Sequence, residues 1–343
     1  MKKRYKSPWW INSWHPSGAG FVPVISTRLV FQDRLGGSRA RWGIGRMRYM
    51  INPGLYAVGA PDADSPVLVT ANYKLSFDNL RKNLQHINAW VLVLDTKGVN
   101  VWCAAGKGTF GTEEVIKQIS AVNLSSVVRH RTLILPQLGA PGVAAHEVTR
   151  MTGFKVVYGP VRAADLPYFV ENGLKAGREM RTVSFTLRER LAVVPVEFVK
   201  SWKIAFAAFL FVLLSSYPSG DMISWSTFFR FLPYVGAILI GCLFVPALLP
   251  WIPGPSLAFN GWLVCIVATI IYTLFNTDQL AENMVYLLIL PAISSFLALN
   301  YTGATPYTSL SGVKKEMKFA IPLIVFTAAS GIVLHVIGLW RAI

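Results

Sequence analysis

The sequence predicts a doubly wound α/β domain over residues 51–200, preceded by a tail over 1–50 and followed by an all-α domain of five transmembrane helices over 201–343. Three observations point this way. Hydrophobic residues make up 53% of the 343 and charged residues only 15%, too apolar for a chain that lives wholly in water. Charge is uneven, since residues 1–200 hold 27 of the 33 Lys and Arg against 13 acids, while 201–343 hold 6 against 4. Short apolar runs alternate with helical stretches before residue 200, and long apolar runs follow it.

The α/β part rests on five apolar runs read as strands: 67–70 (VLVT), 90–94 (WVLVL), 132–135 (TLIL), 155–158 (KVVY) and 183–187 (VSFTL). Continuous apolar strands belong in a sheet covered on both faces. Helices are expected between them over 76–86, 113–122, 142–151 and 165–176, the second with Thr112 as N-cap and Glu113 and Glu114 in its first turn. Strand and helix alternating in this way imply right-handed crossovers and a Rossmann-like sheet. Ligands of such sheets sit beyond the carboxyl ends of the strands, which directs attention to the loops starting at Thr70, Asp95, Pro136 and Gly159.

The five expected spans are 202–217, 229–250, 256–275, 283–301 and 319–340, each near the ~20 residues needed to cross a bilayer as helix. Lys200 and Lys203 precede the first and Lys314, Lys315 and Lys318 the fifth, whereas Asp221 follows the first and Asp278 and Glu282 the third. The positive-inside rule then puts the α/β domain in the cytoplasm of a multi-pass inner-membrane protein. Pro233, Pro246, Pro291 and Pro322 are expected to kink or start helices, and His335 is an ionisable group deep in a span.

Attraction to headgroups accounts for the basic balance more simply than nucleic acid, because no nucleic-acid-binding pattern accompanies the scattered cations. Three cysteines, Cys103, Cys242 and Cys265, make no disulfide framework and fit a reducing compartment. The amino-terminal MKKRYKSPWWINSW lacks the apolar core of an export signal and reads as a retained, interfacial segment.

The segment after the second strand, DTKGVNVWCAAGKGTFGTEEV, carries Gly98, Gly106, Gly108 and Gly111, which let backbone approach a large planar ligand. It is not a phosphate loop. Gly108 stands where a Ser or Thr would hold magnesium, and Val101 where the first Gly should be. Cys103 has several readings. It is a small buried apolar residue, or a nucleophile needing His86, His130 or His146 as base. It is too solitary for zinc, while a metal already held by a macrocycle asks only one axial ligand of the protein.

NVWCAAGK, Asn100 to Lys107, closely resembles the signature of the mercury-methylation corrinoid proteins, the HgcA family. PGLYAVGAPDADSPVLVTANYKLSFDNLR from Pro53 and LILPQLGAPGVAAHEV from Leu133 resemble the corrinoid-binding domain of the acetyl-CoA pathway corrinoid iron–sulfur protein. The resemblance implies a corrinoid-dependent methyltransferase that delivers a cobalt-bound methyl group to Hg(II), with Cys103 as lower axial ligand of a cobalamin-type cofactor. A thiolate trans to the methyl would favour its departure as a carbanion, the polarity an electrophilic mercury ion requires. Cofactor contacts are then expected from Asn100, Val101, Trp102, Cys103, Ala104, Ala105, Gly106 and Lys107. The neighbouring strand ends would add Thr70, Tyr73, Ser76, Gln137, Gly139, Gly142 and His146. It also implies a ferredoxin-like iron–sulfur partner of the HgcB type as electron donor and mercury carrier, and a separate methyltransferase as methyl donor. Two rivals stand beside it: a methyl carrier for a one-carbon, acetyl-CoA-type pathway, and a membrane transporter or receptor with a cytoplasmic sensor domain.

Overall fold

The structure, a computed structural model, describes residues 8–217, 224–275, 280–305, 308 and 310–342. Asp221 and Asp278, used above to orient the spans, lie outside the described residues. The chain divides into two units, Met1–Val183 and Ser184–Ile343.

Unit 1 is a sheet of seven strands with helices on both faces. Its strands are β1 (Ile11–Ser17), β2 (Gly20–Ile25), β3 (Gly54–Val58), β4 (Val67–Ala71), β5 (Ala89–Leu94), β6 (Thr132–Leu135) and β7 (Lys155–Tyr158). They run in the order β1-β2-β3-β5-β4-β6-β7. The pairs β5/β4, β4/β6 and β6/β7 are parallel, while β3 is antiparallel to β5 and β1 to β2. The expected doubly wound core is thus the β5-β4-β6-β7 half, extended by an edge formed from the amino-terminal residues.

Unit 1 helices are α1 (Phe31–Arg41), α2 (Lys74–Arg81), α3 (Val101–Lys107), α4 (Thr112–Ala121), α5 (Ala145–Thr152) and α6 (Leu166–Glu171). Strand side chains alternate between two cores because successive residues point to opposite faces. Val67, Val69, Trp90, Leu92 and Leu133 meet Ala104, Val115, Ile119 and Val148 of α3, α4 and α5 on one side. Leu68, Val91, Val93 and Ile134 meet Phe77, Leu80, Leu166 and Phe169 of α2 and α6 on the other.

Two expectations are corrected here. Residues 1–50 are not simply a tail, because β1, β2 and α1 fold onto the sheet, with Trp10 and Ile25 in its second core. A buried ionic cluster fastens them. Lys74 Nζ lies 2.8 Å from Asp33 Oδ1, and Arg81 reaches Asp33 Oδ2 at 2.8 Å and Asp78 Oδ1 at 2.7 Å. Trp9 Nε1 donates to Asp33 Oδ1 at 2.9 Å. Burial alone would raise the Asp33 carboxyl, but hydrogen bonds donated by Lys74, Trp9, Arg81 and the Val30 amide prevail and hold it at about 2. The run 183–187 is not a strand either. Among the described residues it pairs with no strand, and Thr186 caps the next helix, α7 (Leu187–Leu191), in a capping box with Glu189.

Unit 2 continues with α8 (Val194–Lys200), α9 (Trp202–Ser215), α10 (Trp225–Leu239), α11 (Val245–Leu248), α12 (Leu257–Leu274), α13 (Leu280–Asn300) and α14 (Leu310–Ala342). Among the described residues four helices, Trp225–Leu248, Leu257–Leu274, Leu280–Asn300 and Ser311–Gly338, are by length and composition sufficient to cross a membrane. A fifth results if Leu187–Lys200 and Trp202–Ser215, bent by 49°, count as one. Pro233, Pro291 and Pro322 lie inside helices, while Pro246 opens α11 directly after a π-helical turn, Ile240–Phe244. Such a turn absorbs the hydrogen bond that proline cannot make. Helix α13 is the hub: a Cβ on Gly241 or Gly261 would stand 2.8 and 2.6 Å from Ser294 O, the close approach that small residues give apolar helices. His335 packs against Phe211 at 4.9 Å between ring centroids.

Candidate functional site

The carboxyl ends of β4, β5, β6 and β7 lie along one edge, and Cys103 is carried there on α3. The helix starts at Asn100, whose side-chain oxygen accepts the Cys103 amide at 2.8 Å. It stops at Gly108, which adopts φ 80°, a left-handed cap that favours glycine. Ala104 and Ala105 are buried toward the sheet, Cys103 is half-buried, and Trp102, Gly106 and Lys107 are exposed.

The loop that delivers α3 is clasped by Asn72, a buried residue that follows β4. Asn72 Oδ1 accepts from the Thr96 amide at 3.1 Å, the Thr96 hydroxyl at 2.9 Å and the Gly98 amide at 3.0 Å. Its Nδ2 donates to Asp95 Oδ1 at 3.0 Å. Burial tends to raise the Asp95 carboxyl, but the hydrogen bonds from Lys97 and Asn72 bring it below the usual carboxylate range. The Asp95 amide in turn donates to Glu114 Oε1 at 2.9 Å on α4. Two strand ends and a helix are therefore locked together immediately before the cysteine.

A cavity of about 260 Å³ opens at this edge between α2, α3 and the 3-10 turn Gln137–Gly142. Five of the expected residues line it: Thr70, Ser76, Asn100, Val101 and Trp102. Cys103 follows Trp102 without itself lining the cavity. Gly139 and Gly142 do something else. A Cβ on Gly139 would stand 2.6 Å from Phe110 Cε1 and one on Gly142 would stand 2.2 Å from Phe110 O, so both let the 3-10 turn pack against the α3 region. Gln137 accepts from Arg181 at 2.9 Å, and His146 is exposed on α5. Tyr73 is buried beneath Arg46, 5.8 Å from its ring; its hydroxyl and that of Thr109 are buried without a hydrogen-bond partner among the described residues.

Asn72, Thr96, Asn79 and the apolar lining at Leu138, Pro160 and Val161 were missed in the sequence. An Asn directly after an apolar strand was the available signal for the clasp, but its partners lie more than twenty positions away. Among the described residues, no group of three or more His, Cys, Asp or Glu could hold a metal ion. A thiol that belongs to no such group suits a bond to a metal held chiefly by other atoms. The cavity falls below the ~300–1,000 Å³ that encloses a drug-sized ligand, so it can take an arm of a large cofactor and cannot enclose a macrocycle.

Residues 46–170 match the family described as CO dehydrogenase/acetyl-CoA synthase delta subunit. Among characterised proteins, the acetyl-CoA decarbonylase/synthase complex subunit gamma of Methanopyrus kandleri is 36% identical over 123 residues, 35% of this chain and 26% of that protein. The gamma subunit of Methanocaldococcus jannaschii is 32% identical over 124 residues, 36% and 25% of the two chains. That of Archaeoglobus fulgidus is 32% identical over 128 residues, 37% and 27%. The chain thus spans about a quarter of the length of these relatives. Both the Asn72 clasp and the residues lining the cavity fall inside the matched family segment, whereas β1, β2, α1 and unit 2 lie outside it.

Proposed function

We propose that unit 1 holds a corrinoid at the carboxyl edge of its sheet, with Cys103 as the axial thiolate, and that the protein is a methyl carrier whose acceptor is Hg(II). The observation that carries this reading is a lone, half-buried thiol beside a strand-end cavity, on a helix fixed at its start by Asn100 and Asn72. When bound, the corrinoid supplies a cobalt that carries a methyl group and can release it with the bonding electrons. Cys103 contributes a soft anionic donor, which favours release in that sense. Thr70, Ser76, Asn79 and Asn100 offer hydrogen-bonding groups to amide arms of the cofactor, and Trp102 an apolar wall. Because the cavity is too small for the ring, much of the macrocycle would stay open to an acceptor or a partner.

Mercury is the acceptor chemistry that the thiolate fits, since Hg(II) is a soft electrophile and takes methyl as a carbanion equivalent. The second reading, a carrier for an acetyl-CoA-type one-carbon pathway, is favoured by the names of the relatives over residues 46–170. Transfer as a cation to nickel or to a thiol would be opposed by a strongly donating lower ligand.

The relatives are named as subunits of a complex, and we read this chain also as one that works with protein partners. Of its three cysteines two are buried in unit 2, so an iron–sulfur electron donor, the ferredoxin-like HgcB type, would come from another chain, as would the methyl donor. The apolar helices of unit 2 support a multi-pass membrane protein. Lys200 before α9 and Lys203 in its first turn, with Lys314, Lys315 and Lys318 in the first turns of α14, favour unit 1 on the cytoplasmic side.

The test uses the full chain loaded with methylated corrinoid and offered HgCl₂ or a thiol acceptor in parallel. Methylmercury from the wild type, its loss in Cys103→Ala and a changed visible spectrum in that variant are expected. Transfer to the thiol alone would select the second reading, and an unchanged spectrum with full activity would remove the thiolate.

A further inference from the structure

Helix α1 is amphipathic in the wrong sense for a helix that only covers a core. Its buried face is Asp33, Gly37 and Ala40. Asp33 is held there by Lys74 and Arg81, and Gly37 sits so close to α2 that a Cβ would lie 3.1 Å from Leu75 Cδ1. The opposite face turns large apolar side chains to solvent: Phe31 is 73% exposed, Leu35 47% and Trp42, the C-cap, 48%. Spacings of four and seven residues put all three on one stripe. Ile44, Met47 and Met50 carry the exposed apolar surface onward. Arg34, Arg39, Arg41 and Arg48 are exposed around it, while the acid of this helix, Asp33, is consumed internally.

This surface ends at the Cys103 loop. A Cβ on Gly98 would lie 2.9 Å from Met47 O and 3.6 Å from Met50 Sδ, and Gly98 is one of the amides clasped by Asn72.

We propose that the outer face of α1 and the segment 42–50 form the docking surface for an acidic protein that serves the Cys103 site. The cations select the kind of partner. Residues 8–50 contain six Arg and no Lys, and Arg with aromatic residues and Met is the composition of protein interfaces, from which Lys is depleted. A headgroup surface draws Lys and Arg alike. Among the described residues Arg34, Arg39, Arg41 and Arg48 make no ion pair; they call for carboxylates, and the apolar stripe for a groove that takes one helix face. The inference rests on the reading of this chain as one that works with a protein partner, and it adds where that partner sits.

The test uses the full chain in phosphatidylcholine nanodiscs, with a two-cluster bacterial ferredoxin as the acidic probe, and compares wild type, Arg34→Glu/Arg39→Glu/Arg41→Glu, Phe31→Ser/Leu35→Ser and Cys103→Ala. The expected result is wild-type binding that weakens at least tenfold between 50 and 300 mM NaCl, a tenfold or greater loss in both surface variants, and unchanged binding in Cys103→Ala. Circular dichroism and the unfolding midpoint establish that the variants are folded, and each substitution set checks the other. Equal binding by wild type and surface variants, or no binding by the wild type, overturns the proposal. So does a nitroxide at Leu35→Cys that is immobilised by phosphatidylglycerol nanodiscs alone, which would give this face to the bilayer. A dimer that the surface variants dissociate would give it to a second copy of the chain. Failure of the chain to take up corrinoid would count against the methyl-carrier reading and leave these binding results intact.

Discussion

Replacing Asn72 with Ala should loosen the cysteine helix while the sheet stays folded. Asn72 Oδ1 is the acceptor for two backbone amides, Thr96 and Gly98, and Thr96 is fully buried. The Thr96 hydroxyl keeps an alternative in Val99 O at 2.6 Å and the Thr96 amide one in Leu94 O at 3.1 Å, but the buried Gly98 amide does not. A buried donor left without a partner costs about 1–3 kcal/mol, so the Gly98 amide sets a ceiling of about 3 kcal/mol and an expected cost of about 2 kcal/mol. The loss falls on the loop between β5 and α3, where local opening is the first response. A local cost of about 2 kcal/mol raises the open population about 30-fold, each 1.4 kcal/mol being a factor of ten. Hydrogen exchange of the full chain followed by mass spectrometry reads this as faster exchange confined to peptides covering 95–107. Asn72→Asp keeps the acceptor oxygens but sets a carboxylate against Asp95, so its effect should be intermediate. Wild-type exchange rates over 95–107 in Asn72→Ala would refute the clasp.

Acid should unfasten the amino-terminal segment. Asp33 is held at about 2 against a usual value of 3.8, so its contribution of about 2 kcal/mol is fully present above about pH 4 and is lost as pH falls toward 2. Chemical unfolding at pH 6 and pH 3 should show about half of that loss, about 1 kcal/mol, and Asp33→Asn should flatten it while lowering stability at pH 6. The glycines should separate by role. Gly142→Ala places a Cβ 2.2 Å from Phe110 O and should cost about 1–3 kcal/mol of stability as backbone is forced apart. A Cβ on Gly106 meets nothing within 4 Å, so Gly106→Ala in the last turn of α3 should leave the unfolding midpoint unchanged or raise it. If that variant is stable but takes up corrinoid poorly, the position is kept open for the ligand. Asn100→Ala removes the cap from α3 and should cost about 1 kcal/mol, read as faster exchange at the Cys103 amide.

What could be read in the sequence follows from how local the determining contacts are. Strands β4 to β7 were legible because a sheet buried on both faces needs unbroken apolar runs such as AWVLVL, and each run lies within about a residue of the observed strand. The amino-terminal strands were not. INSWHPS holds a single aliphatic residue and stands at a half-exposed edge, and α1 hides behind small residues and an ion pair while its apolar face points outward. VSFTL has the composition of a strand, yet strand formation depends on a partner that the local sequence does not supply; the Thr186 to Glu189 capping signal was the better guide. At the strand ends, Thr70, Ser76, Asn100, Val101 and Trp102 could be named from the sequence and line the cavity, whereas Cys103 does not. Gly139 and Gly142 show the limit, because their contacts with Phe110 arise from a turn folding back across thirty residues.

Most direct of all is cobalt K-edge X-ray absorption of the full chain loaded with corrinoid, beside Cys103→Ala. A sulfur neighbour of cobalt in the wild type, replaced by nitrogen or oxygen in the variant, is predicted. Identical nitrogen or oxygen coordination in both proteins would contradict it and leave Cys103 as one more half-buried side chain of α3.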